Sequence, residues 1–130
     1  MDPDTFHKQL DQPRLTDALL DAERATRAKI FVYVSHHHVE DALSAARERF
    51  ARLGLHLHDH RASVLIYIAP RSHKFAVLGD QAIHEKCGED YWTRLAEQLS
   101  TDLKKGDLTA ALLNAVASLK ATMAEHFPHT

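Results

Sequence analysis

Hydrophobic residues fall into two kinds of stretch along this chain. In some they recur at every third or fourth position, and in others they run without interruption. Leu15, Ala18, Leu19, Ala22 and Ala25 follow helical spacing. Ile30-Phe31-Val32-Tyr33-Val34 then forms an apolar, β-branched and aromatic run that predicts a buried strand, ending in Ser35-His36-His37-His38. From Val39 the period is helical again, with Ala42, Leu43, Ala46, Phe50 and Leu53 on one face and Gly54 as the stop. Val64 to Ala69 is apolar at every position, the pattern of a central strand covered on both faces. A turn at Pro70-Arg71-Ser72 leads back into a third strand, Lys74 to Leu78. Two helical patterns close the chain, Tyr91 to Leu103 and Leu108 to Phe127, with Lys104-Lys105-Gly106-Asp107 breaking them. Residues 1–14 read as a polar lead-in, with Pro3 and Pro13 marking irregular structure, and residues 15–127 as a single domain.

The order α-β-α-β-β-α-α has a simple solution. The first two strands run parallel through a helical crossover, and the third adds antiparallel beside the second. The expected fold is an α/β/α sandwich: a small mixed sheet with helices on both faces. In such sheets, ligands favour crevices beyond strand ends where loops converge.

Composition adds limits more than content. The 130 residues suffice for one proper core, and 45% hydrophobic with 26% charged residues is ordinary for a globular domain. A formal net charge of −2 gives no field to steer nucleic acid or an anionic membrane. The first residues lack a basic region followed by an apolar one, and no apolar run nears the roughly 20 residues that span a bilayer. These features place the expected location in the cytoplasm. Cys87 is the lone cysteine and has no internal disulfide partner. Histidine is over-used, at 11 residues, so the net charge swings toward basic near the ordinary imidazole pKa of ~6.5.

Candidate chemistry gathers at the junction Gly79 to Asp90, where Asp80, His84, Glu85, Glu89 and Asp90 lie between a strand end and a helix start. Carboxylates there suit Ca²⁺ or Mg²⁺, which take oxygen ligands. His84 with Glu85 or Asp90 would alternatively serve acid–base chemistry, and His84 with Glu89 would line a ligand crevice. The same residues also read as plain helix capping: glycines for the turn, Asp80 as cap, and Glu89-Asp90 at a helix N-terminus. A second candidate set is His56, His58 and His60, which alternate and suit Zn²⁺ or Ni²⁺ in an extended backbone. His36, His37 and His38 are consecutive and read as filling the loop after the first strand. Cys87 beside Lys86 reads either as a thiol of lowered pKa or as a small, partly buried residue. The chain carries no phosphate-binding glycine loop, nucleophile elbow, H-E-x-x-H pair or dinucleotide fingerprint.

Taken together, Val64-Leu65-Ile66-Tyr67-Ile68-Ala69, Phe75-Ala76-Val77-Leu78-Gly79-Asp80 and Ile83-His84-Glu85-Lys86-Cys87-Gly88-Glu89-Asp90-Tyr91-Trp92 resemble the TPM domain family. The likeness covers roughly residues 15 to 127. Its most specific part is the G-D-x-x-I-H-E-K-x-G block of the short soluble members. The resemblance implies an α/β sandwich, a divalent cation such as calcium or magnesium, and a phosphatase activity described for some members. Its acidic site residues map onto Asp80, Glu85 and Asp90. Two departures touch that region: Arg61-Ala62-Ser63 stands where many members have a glycine before the central strand, and Gly79-Asp80-Gln81-Ala82-Ile83-His84 replaces a G-x-G-L-E turn. The expected function is therefore a TPM-type domain binding a divalent cation, with metal-assisted phosphomonoester hydrolysis as its reaction. The competing expectation is a non-catalytic protein-interaction module, whose contact face would be Leu112, Val116 and Met123 of the last helix.

Overall fold

A computed structural model describes residues 3–54 and 62–128. Three strands form one sheet in the order β1-β2-β3: β1 (Lys29–Val34), β2 (Ser63–Ala69) and β3 (Lys74–Gly79). β1 lies parallel to β2, from Lys29 opposite Ser63 to Val34 opposite Ile68. β3 runs antiparallel to β2, from Val64 opposite Gly79 to Ala69 opposite Lys74. Helix α3 (Ala42–Arg52) bridges the parallel pair, as the sequence predicts.

Alternation along the strands explains the layers, because successive side chains of a strand point to opposite faces. Val64, Ile66 and Ile68 of β2 join Ile30, Val77 and the apolar residues of five helices in the larger core. Those helices are α1 (Pro3–Gln9), α2 (Gln12–Ala25), α4 (Gln81–Cys87), α5 (Glu89–Lys104) and α6 (Leu108–His126). Leu65, Tyr67 and Ala69 point the other way and pack with Ala76 under Ala46 and Phe50 of α3. Every residue of β2 is buried, as expected for the middle strand of a sheet with helices on both faces. The fold is an α/β sandwich with a small mixed sheet.

The helix starts follow from capping. Asp11, Asp41, Asp80 and Asp107 each accept a backbone N–H from three residues onward, satisfying a donor that the first turn leaves without a partner. Gly106 takes a positive φ of 90° between α5 and α6, a conformation side chains resist.

Three readings of local structure change. Residues 3–9 are helical rather than irregular, and Pro13 lies in the first turn of α2, where its missing N–H costs nothing. Phe6 and Leu10 are one turn apart and both buried, and the Asp11 N–H donates to Thr109 Oγ1 of α6 at 2.9 Å. The segment after Gly79 is also helical, because Asp80 caps α4. Finally, Leu112, Val116 and Met123, expected as an exposed contact face, are 0%, 2% and 0% exposed. The apolar stripe of α6 is core, packed between α2 and α5.

Candidate functional site

The junction is built outward from Asp80. Its backbone N–H donates to the Ser63 carbonyl at 2.9 Å, extending the β2–β3 ladder by one bond. Its Oδ2 accepts the Ser63 N–H at 2.9 Å, and its Oδ1 accepts the Ile83 N–H at 3.0 Å. One carboxylate thus closes the start of β2 and the start of α4 together. Both oxygens receive a donor, which aims the group at backbone rather than at open solvent.

The other acids are dispersed. Glu85 is exposed and its Oε1 accepts Gln81 Nε2 at 3.1 Å, one turn back along α4. Glu89 and Asp90 are exposed in the first turn of α5, whose cap, Gly88, has no side chain to satisfy the N–H groups there. Negative charge at that end is favourable to the helix dipole. Among the described residues, no group of three or more His, Cys, Asp or Glu side chains converges in a way that could hold a metal ion. Asp80, Glu85 and Asp90 do not form such a group.

His84 and Glu89 do share a crevice. It has a volume of about 510 Å³ and opens between α3, the end of β3 and the α4–α5 corner. Arg47 and Leu43 of α3 form one wall, and His84, Gln81 and Glu89 form the other. Gly79 and Trp92 lie at its base, and their fit depends on the missing side chain: a Cβ on Gly79 would sit 2.7 Å from Trp92 Cζ2 and 3.0 Å from Ile83 Cγ2. Trp92 meets Tyr91 edge to face at 5.2 Å, and its buried Nε1 has no hydrogen-bond partner among the described residues. Burial raises the pKa of Tyr91.

Arg47 and Trp92 were not legible as site residues. Arg47 lies on a helix far away in sequence, and its position opposite His84 is set only by the crossover. Trp92 reads as core, because an aromatic residue in a helix ordinarily means that.

Cys87 is half-buried near the end of α4. Burial, then the nearby Glu125 carboxylate, push its thiol pKa up, so the thiolate needed for nucleophilic chemistry is disfavoured. Its reading as a small packing residue holds. His36, His37 and His38 fill the loop after β1, which the β2–β3 turn pins. Arg71 Nε donates to the His36 carbonyl at 2.9 Å, Ser72 Oγ accepts the Val39 N–H at 2.8 Å, and that hydroxyl lies 3.0 Å from His38 Nδ1. His37 lines a separate crevice of about 270 Å³ with Arg49 and Tyr67. His56, His58 and His60 lie outside the described residues.

The layered sheet and its capped junction define a small α/β sandwich domain with a crevice at the β3–α4 corner. A family model described as the TPM domain matches residues 2–122, and the chain belongs to that family. Its fold is similar to the NMR structure of the BA42 protein from the psychrophilic bacterium Bizionia argentinensis. The TM-score is 0.82 at 24% identity, over 91% of this chain and 81% of the other. At that identity the likeness bears on fold alone. No curated protein matches the chain. No helix among the described residues is long and apolar enough to cross a membrane.

Proposed function

We propose that this TPM domain is a binding module for a small phosphomonoester, held in the crevice between α3 and the α4–α5 corner. The observation that carries the reading is the placement of Arg47 across a 510 Å³ space from His84 and Glu89. A guanidinium matches two phosphoryl oxygens at once, and imidazole adds a further donor. Glu89 faces them as an acceptor for a ligand hydroxyl. The size lies within the range of small-molecule pockets.

Two observations favour binding over turnover. Thr93, the crevice hydroxyl, donates to the Glu89 carbonyl, and the Cys87 thiol beyond the wall is held neutral. The divalent cation and phosphatase chemistry of the resemblance fit these residues less well. Asp80 serves two backbone N–H groups, so no reaction step is assigned to calcium or magnesium here. The test is an amide NMR titration with an aryl phosphate, together with an assay for released phosphate. Saturable shifts at residues 43–47 and 79–93, weakened about fivefold in Arg47→Gln as for a good exposed ion pair, support the reading. Shifts elsewhere, or none, overturn it. Metal-dependent turnover lost in Asp80→Asn would restore the phosphatase.

A further inference from the structure

We infer that a second pocket, at the opposite end of β2, binds a small amphiphilic anion: an aliphatic carboxylate with its chain inside and its charge on Lys104. The pocket has a volume of about 360 Å³ and lies beyond the carboxyl end of β2. Open α/β sheets present ligand crevices beyond the carboxyl ends of their parallel strands. Its walls come from segments distant in sequence: Phe6 of α1, Ile68 of β2, Phe75 of β3, and Leu103 and Leu108 on either side of the α5–α6 corner. These walls are mostly apolar and hold a hydrocarbon chain, with Ser100 of α5 and His73 among the other lining residues.

The charged side chains around it, Lys74 and Lys104, are both cationic, and none of the described lining residues is acidic. Lys74 Nζ already donates to the Glu40 carbonyl. Lys104 is exposed in the last turn of α5 and makes no ion pair or hydrogen bond among the described residues. A lysine whose apolar stem lies along such a pocket keeps its ammonium at the mouth. An apolar cavity under an unpaired cation suits a carboxylate with a short chain better than a neutral alcohol of the same length, and does not suit phosphate alone. This site is independent of the Arg47 crevice.

The probes are octanoate, octan-1-ol and inorganic phosphate, titrated into the whole chain and followed by amide NMR. Octanoate is expected to shift amides of residues 68–75 and 100–108. Lys104→Gln, an exposed change that leaves the core intact, weakens octanoate about threefold, the worth of a partly exposed ion pair, and leaves octan-1-ol unchanged. Ser100→Phe, which fills the pocket from α5, abolishes binding of both. The inference is overturned if octanoate leaves these amides unmoved, if octan-1-ol binds as tightly as octanoate, or if phosphate alone produces the same shifts.

Discussion

The two ends of β2 are both rich in polar side chains, and they use them differently. At the Ser63 end a carboxylate accepts: Asp80 takes the N–H groups of Ser63 and Ile83. At the Ala69 end cations and a hydroxyl do the bonding: Arg71 and Lys74 donate to the carbonyls of His36 and Glu40, and Ser72 accepts from Val39. A strand or helix end leaves backbone groups without partners, and nearby polar side chains meet that need first. Arg47, His84 and Glu89 at one end and Lys104 at the other instead line open crevices, which is why the proposed ligands are placed there. Density of polar residues in the sequence is thus a poor guide to a site, whereas the direction of each group is a good one.

Breaking the acceptor end should cost most. Gly79→Val places a branched side chain against the Trp92 ring and Ile83, and should destabilise by about 3 kcal/mol, the upper range for overpacking. Urea unfolding measures it. In the Trp92→Ala background the same change should cost clearly less, because the colliding ring is gone.

Asp80→Ala removes two acceptors at once and leaves the buried Ser63 N–H without a partner. About 2 kcal/mol is expected. Asp80→Asn retains one acceptor oxygen but turns an amide NH2, a donor, toward the other N–H, so it should recover only the part of that loss that belongs to one of the two bonds. If Asn were as stable as the wild type, the second of the two backbone bonds would contribute nothing.

At the Ala69 end, Ser72→Ala should cost about 1 kcal/mol, the net worth of the one hydrogen bond it accepts from Val39. It should speed amide exchange at Val39 while leaving Ser63 and Ile83 untouched.

The smallest effect is that of pH on α3. Hydrogen bonds from the Ser44 N–H and then its hydroxyl hold the Asp41 pKa below the ordinary carboxylate value of 3.8. A lowered folded pKa means stabilisation present above 3.8 and lost as pH falls through the folded value. Acid unfolding of Asp41→Asn, which keeps the cap, should be less steep in that window.

The sheet was legible because β2 is apolar at every position and β1 and β3 flank it with helix-length and turn-length connections. The short helices were not. α1 depends on Phe6 and Leu10 finding the larger core, and α4 depends on the Asp80 cap, so neither shows in apolar periodicity. The stripe of α6 was legible as a stripe but not as core, since periodicity gives a face and not what covers it. His84 and Glu89 were read as crevice residues from the junction alone, whereas Arg47 needed the crossover to bring α3 across the sheet. Asp80 carried both readings, cap and ligand, and only the positions of the Ser63 and Ile83 N–H groups separate their geometry.

The most direct measurement is a calcium titration of the wild-type chain followed by amide NMR. The account predicts no saturable shift at Ser63, Asp80 and Ile83, whose backbone bonds already engage the carboxylate. Saturable shifts centred on those three amides, and absent in Asp80→Asn, would contradict it.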